Sequence, residues 1–204
     1  MNKFLKETLS AHISSNRLCY IIATSAVLVG IIIGIFSGKS AIHESEFNYL
    51  DGFLSSSATE GMTPLNVFTK SVLINLRPVV IIWLSSLFVW LIPISFVELG
   101  AKGFGIGYSF SYLIFGWGFK GLAISFISLF LQNLIIVPSL IIYTVLQVRF
   151  SGDYDKIRKT PNLYKERKSL FMKSFLSLLF ILLPVIFCGL IDGYIAPVLV
   201  NFLI

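Results

Sequence analysis

Residues 18–36 read LCYIIATSAVLVGIIIGIF, a stretch that contains no Asp, Glu, Lys, Arg or His. A bilayer core about 30 Å thick is crossed by roughly 20 apolar residues in a helix, so this stretch predicts a membrane-spanning helix. It follows a polar segment and is not followed by an Ala-x-Ala-like site, which argues against a cleaved signal peptide. We therefore expect the helix to be retained in the membrane.

Four further stretches of similar character follow it along the chain. Hydrophobic residues make up 56% of the 204 residues and charged residues only 13%, a composition that does not suit a water-facing surface. The predicted spans are 18–36, 78–97, 103–119, 121–148 and 170–191. The sequence therefore predicts an all-α integral membrane protein, in which residues 1–204 form one domain with a bundle of about five transmembrane helices.

The basic residues divide unequally between the two sides of such a bundle. With the amino terminus inside, twelve of the 16 Lys and Arg residues fall on the inner side with five acidic residues. Because cytoplasmic flanks of membrane helices carry the excess of positive charge, we predict the amino terminus inside and the carboxyl terminus outside. This assignment places Lys102 in an inner loop and Asp192 outside. The net charge of +6 then reflects topology and attraction to anionic lipid headgroups, and no nucleic-acid partner is expected.

Three shorter segments lie outside the predicted spans. Residues 1–17 have the amphipathic pattern of an interfacial helix on the cytoplasmic side. Residues 149–169 are predicted to form a basic cytoplasmic loop. Asp192-Gly193 is expected to end the fifth helix, and the apolar residues 192–204, too few to cross the membrane again, to lie in the outer interface.

The largest segment outside the spans is the outward one, residues 37–77, which is predicted to contain two amphipathic helices. Thr63 as N-cap followed by Pro64 predicts the start of the second of these helices. The apolar side chains of this segment either pack on the helix bundle or lie on the membrane, or they dock another protein, and the sequence leaves these alternatives open. The candidate partner-docking residues are Phe47, Leu50, Phe53, Leu54, Asn75 and Arg77.

Small and polar residues within the spans predict how the helices pack. The third span has a small residue at every fourth position, which lets helix backbones approach closely in lipid, within the bundle or in a homo-oligomer. Amides in the fourth span are predicted to hydrogen-bond across helices, with a polar pathway as the alternative. Pro93, Pro138 and Pro184 are each expected to interrupt a span. The candidate helix-packing residues are Gly103, Gly107, Ser111, Gln132, Asn133 and Pro138.

The sequence offers no constellation of residues typical of catalysis. His12 and His43 fall on opposite sides of the predicted membrane, and the serine pairs have no neighbouring base. We therefore predict no enzymatic activity, no cofactor and no metal site. Ion-coupled transport usually places titratable residues near the midplane, and the predicted spans contain none at that depth, since Lys173 lies near the end of its span. A membrane scaffold is favoured, and a membrane subunit of a transporter or pore for a small solute is the alternative.

Several short motifs, in their order and spacing, resemble the stage II sporulation protein M family over most of the chain. The motifs are Ile74-Asn75-Leu76-Arg77, Lys102-Gly103 with Gly107, GWGFKG at 116–121, LQNLIIVP at 131–138 and YIAPVL at 194–199.

The resemblance implies a function that composition and spacing do not. It implies a non-enzymatic, multi-pass membrane anchor in the mother-cell membrane at the sporulation septum, required for engulfment of the forespore. It also implies two partners, the wall hydrolases known as stage II sporulation proteins D and P, which the membrane protein would hold at the septal membrane. Residues 37–77 are our candidate contact segment for these hydrolases.

Overall fold

The computed structural model describes residues 14–40, 63–158, 164–196 and 198. These residues form five long helices, each with an apolar stretch long enough to cross a bilayer. The helices are α1 (Arg17–Ser40), α2 (Pro64–Ser86), α3 (Ile92–Ser125), α4 (Leu131–Arg158) and α5 (Tyr164–Leu190). The predicted all-α fold with five membrane-spanning helices is confirmed. The direction in which the bundle crosses the membrane stays a prediction.

Helix α2 begins where the sequence predicts a helix start. The Thr63 side chain accepts a hydrogen bond from the Asn66 amide at 3.4 Å, and Pro64 occupies the first turn. Helix α2 ends at Ser86, and the tight turn Val89–Leu91 leads into α3, whose first turn holds Pro93. The predicted span 78–97 is therefore interrupted beside Pro93, by a turn between two helices and not by a kink within one helix. A proline in the first turn of a helix lacks only an N–H that would have had no helical partner.

The connection between α2 and α3 lies at residues 87–91 and not at 98–102. Two charged residues, Glu98 and Lys102, separate the charge-free stretches 78–97 and 103–119, which suggested a loop between two spans. The structure has one continuous helix across them. In lipid a helix satisfies its own backbone hydrogen bonds whereas a loop does not, so keeping the helix is favoured even with charged side chains on it.

Two other helix ends differ from the predicted boundaries. The described parts of the predicted loop 149–169 are helical, because α4 runs to Arg158 and α5 begins at Tyr164. Asp192-Gly193 does not end the fifth helix, since Ile191–Ile195 continues it with wider turns. Gly193 serves close packing there: a Cβ on it would lie 2.9 Å from the Pro64 carbonyl oxygen of α2.

The predicted interfacial helix lies outside the described residues over 1–13. The same holds for four docking candidates, Phe47, Leu50, Phe53 and Leu54, and for most of the tail beyond residue 196.

The chain bends sharply at Gly118, within the range given for α3. Its φ of +58° lies in the left-handed region, which glycine adopts without the steric cost of a Cβ. Contacts fix the other directions: α1 and α3 run parallel, α2 runs antiparallel to α3 and α5, and α4 runs parallel to α2. The bundle therefore alternates in direction along the chain, as five consecutive spans require.

Helices α1 and α3 pack backbone against backbone through small residues on both sides. On α3 a Cβ at Gly107 would lie 2.1 Å from the Ile31 carbonyl oxygen. On α1 a Cβ at Gly34 would lie 2.3 Å from the Phe104 carbonyl oxygen. The structure thus brings the small-residue candidates of the third span into contact with the first, where the matching residues are Gly30, Gly34 and Gly38. The small-residue candidates on α3 are Gly103, Gly107 and Ser111, whose hydroxyl donates to the Ile35 carbonyl oxygen at 2.9 Å.

Candidate functional site

Four polar side chains form a hydrogen-bonded chain across α2, α3 and the end of the fifth helix. Lys102 Nζ donates to Asn75 Oδ1 at 2.6 Å. Asn75 Nδ2 lies 3.4 Å from Ser71 Oγ, which in turn donates to Asp192 Oδ2 at 2.5 Å. We call Lys102, Asn75, Ser71 and Asp192 the polar chain. It links a lysine to an aspartate through two neutral side chains that are buried in the bundle.

The polar chain lies well inside the membrane-spanning part of the bundle. Asn75 is 11 residues from either end of α2, and Gly103, next to Lys102, packs on Val27 in the middle of α1. Because hydrogen bonds connect Lys102 to Asp192, the prediction that placed Lys102 in an inner loop and Asp192 on the outer side is wrong. A charge at such depth is costly unless it is paired or faces a polar cavity, which makes this cluster the candidate functional site.

The two predicted amides of α4 contribute unequally to this site. Gln132 Nε2 reaches Ser71 Oγ at 3.5 Å, a long and therefore weak hydrogen bond across helices. Asn133 donates to the Leu129 carbonyl oxygen of its own helix at 2.7 Å, and its Oδ1 is buried with no partner among the described residues. The predicted cross-helix bond of Asn133 is therefore absent from the described contacts. Pro138, the third candidate on α4, is exposed.

Two adjoining cavities open beside the polar chain. The larger, of about 700 Å³, is bordered by Lys70, Gly105 and Asn133 in addition to all four residues of the polar chain. The smaller, of about 380 Å³, is bordered by Arg77 and Glu98, and the two cavities share Ile74, Ala101 and Lys102. We call the joined cavities the α2–α3 groove. Its charged side chains are Lys70, Arg77, Glu98, Lys102 and Asp192.

The remaining docking candidates, Asn75 and Arg77, border this groove. Asn75 is fully buried and bonded within the bundle, so the prediction that it contacts a partner does not agree with its position. Its amide is needed inside, where its oxygen accepts a hydrogen bond from the Lys102 ammonium. Arg77 is exposed and lines the smaller cavity.

A second polar layer ties three helices together at the other end of the bundle. Gln147 Oε1 of α4 accepts from Ser86 of α2 at 3.0 Å and from Ser174 of α5 at 2.9 Å, while its Nε2 donates to Ser177 at 2.9 Å. Gln147 was not among the predicted packing residues, although an amide in an apolar helix is the same signal that predicted Gln132. Gln147 lies 15 residues after Gln132, which separates the two layers by about 22 Å along the helix.

Replacing Gln147 with leucine should lower the free energy of unfolding by about 1 to 2 kcal/mol, because three interhelical hydrogen bonds are lost. The Gln132→Leu, Asn133→Leu double variant should cost less, since only one long cross-helix bond is removed. Thermal unfolding of the purified proteins in one detergent measures both. A larger loss in the double variant would contradict this ranking.

Candidate metal ligands are not grouped in the part of the chain that the structure describes: there, no three His, Cys, Asp or Glu side chains could hold one ion together. The chemistry of the candidate site is therefore that of a lysine, an aspartate and neutral hydrogen-bonding groups around a groove. Such groups bind and orient polar molecules.

Comparison with known proteins shows which family the chain belongs to. The model of the family described as stage II sporulation protein M matches residues 23–197. The chain belongs to this family. The predicted resemblance is thus confirmed, and the chain is a sporulation-related membrane protein whose matched region contains the whole polar chain and the α1–α3 contact. No curated protein and no solved structure matched the chain.

Proposed function

We propose that this member of the stage II sporulation protein M family is a non-enzymatic scaffold that recruits peptidoglycan hydrolases at the septal membrane for engulfment of the forespore. The observation that carries the proposal is the family match over residues 23–197. The proposed partners are the wall hydrolases named stage II sporulation proteins D and P. The proposed location is the mother-cell membrane at the sporulation septum.

The packing of the bundle is consistent with a scaffold. The backbones of α1 and α3 are in direct contact at their glycines, where a larger side chain would not fit. This contact opposes movement of one helix along the other. The amide of Gln147 fixes α2, α4 and α5 to one another. A bundle held in this way keeps the ends of its described helices in a constant arrangement, which is what simultaneous binding of more than one partner requires.

A crosslinked affinity purification from sporulating cells tests the proposal. Serine substitution of the four apolar candidates Phe47, Leu50, Phe53 and Leu54 should lower recovery of the hydrolases about tenfold, because buried apolar anchors carry most of the energy of an interface. Substitution is confined to residues 41–62, since α2 begins at Pro64 and a wider replacement would remove Ser71 and Asn75 from the bundle. Recovery is measured by quantitative mass spectrometry.

The matched control replaces Ser55, Ser56 and Ser57 of the same segment with alanine and should leave recovery unchanged. If the native chain recovers no hydrolase, the scaffold proposal fails. If it recovers hydrolases that the apolar substitutions do not affect, the scaffold stands and the docking segment lies elsewhere.

One observation favours the second candidate, a membrane subunit of a transporter or pore for a small solute. Titratable residues were not expected near the midplane of the predicted spans, but Lys102 and Asp192 lie in helices of the bundle beside a cavity of about 700 Å³. Recovery of a transport ATPase in place of wall hydrolases, in the same purification, would support this candidate against the scaffold.

A further inference from the structure

The α2–α3 groove opens on the side of the bundle that faces lipid. Ile74 is 67% exposed in the middle of α2, and Ala101 and Gly105 are exposed in the middle of α3. A Cβ added to Gly105 would meet no atom of the described residues within 4 Å. The mouth of the groove is therefore a gap between two membrane-spanning helices, at the depth of the hydrocarbon core.

The groove carries charges whose hydrogen-bonding capacity is only partly used. Lys102 has three N–H donors, and among the described residues it donates to Asn75 alone. Asp192 accepts a hydrogen bond from Ser71, and a carboxylate can accept several more. Lys70 adds a second cation at the rim of the same cavity. Charged groups that open onto hydrocarbon are costly unless an occupant of complementary charge covers them.

These requirements define the occupant. The two lysines call for an anionic group, and Asp192 calls for a cationic group with N–H donors nearby. The lining is otherwise mainly apolar, and the mouth leads to the acyl chains of the bilayer. Lys70 lies six residues after Pro64, about 9 Å below the start of α2, so a headgroup reaches the groove by moving a short distance inward.

We propose that the α2–α3 groove binds a phospholipid whose headgroup carries both a phosphate and a primary ammonium, as phosphatidylethanolamine does. The phosphate lies against Lys70 and Lys102, the ammonium lies against Asp192, and the acyl chains leave between α2 and α3. The site does not rest on the scaffold function, and it can be tested on the isolated protein.

Lipid titration of the full-length protein, purified in detergent and followed by native mass spectrometry, tests the headgroup chemistry. Phosphatidylethanolamine should bind about tenfold more tightly than phosphatidylcholine, whose quaternary ammonium has no N–H to donate to Asp192. It should also bind about tenfold more tightly than phosphatidylglycerol, which has a phosphate but no amine. Equal binding of the three lipids would overturn the proposal.

Two pairs of variants connect this binding to the groove. Gly105→Leu places a side chain in the mouth and should weaken phosphatidylethanolamine binding about tenfold, whereas Gly152→Leu should not, although each glycine has open space around it. Lys70→Gln should weaken binding severalfold, and Lys156→Gln, which alters a lysine paired with Asp153 at the helix end, should not. None of these substitutions touches a hydrogen bond of the polar chain, so all four proteins should fold.

Two further results would overturn the proposal in identifiable ways. If free phosphoethanolamine binds the groove as tightly as the lipid, the ligand is a soluble zwitterion and not a lipid. If the protein is a dimer that Gly105→Leu converts to monomers, a second copy of the chain occupies the groove. Both outcomes are independent of the hydrolase purification, so failure here leaves the scaffold proposal standing.

Discussion

Replacing Gly107 with alanine should destabilise the bundle by about 3 kcal/mol, because the new Cβ would lie 2.1 Å from the Ile31 carbonyl oxygen. The atom in the way belongs to the backbone of α1, so the clash is relieved only if the two helices move apart. Separation also loosens the contacts at Gly34 and at the Ser111 hydroxyl. Unfolding of the purified protein by heat or denaturing detergent measures the loss.

Gly105→Ala is the matched control, on the same helix and two residues away. Its Cβ meets nothing within 4 Å in the part of the chain that the structure describes, and alanine is the better helix former by about 1 kcal/mol, so this variant should be as stable as the native chain or more so. Equal stability of the Gly107 and Gly105 variants would contradict the backbone contact between α1 and α3.

The second large effect is expected at Lys102. Its replacement with methionine, which keeps the length of the side chain, should lower the free energy of unfolding by about 3 kcal/mol. The cause is that Asp192 would remain inside the bundle without the cation to which Ser71 and Asn75 connect it. The corresponding change at the exposed Lys156 should cost less than about 1 kcal/mol.

A double-mutant cycle separates the charge effect from lost packing. In the Lys102→Met, Asp192→Asn double variant no charged group is left unpaired in the polar chain, so its stability should exceed that expected from adding the two single losses by at least about 1 kcal/mol. Strict additivity would mean that Lys102 and Asp192 do not sense one another, and the polar chain would then be two separate hydrogen-bonded pairs.

Apolar stretches without charge were enough to predict the fold class and the number of long helices. They were not enough for the boundaries between α2 and α3. Glu98 and Lys102 interrupt the hydropathy pattern just as a loop would, and nothing local shows that a buried amide 27 residues earlier satisfies the lysine. The hydropathy pattern along the sequence shows that a charged residue would be unfavourable in the membrane. It does not show which residue hydrogen-bonds to that charge in the folded bundle.

The residues of the candidate site could likewise be predicted only in part from the sequence. Gly103 and Gly107 were recognised from their spacing, yet the equivalent spacing of Gly30, Gly34 and Gly38 on α1 was present in the sequence and was not used. Gln132 and Asn133 were recognised as polar groups at depth, but their partners depend on how helices rotate about their axes. The position of Asp192 beside Ser71 depends on a contact between residues 121 positions apart in the sequence, which spacing along the chain does not reveal.

The parallel pairing of α1 with α3 also bears on how the protein is made. Ribosomal synthesis delivers α1 to the membrane well before α3, the surface against which its glycines fit, has been translated. During that interval the glycine face of α1 has no partner within the nascent chain, and α2 must insert in the opposite direction before the contact can form. The helices that were inserted separately can therefore pack together only after the third span is complete. In a nascent chain that ends before the third span, the glycine face of α1 has no helix to pack against.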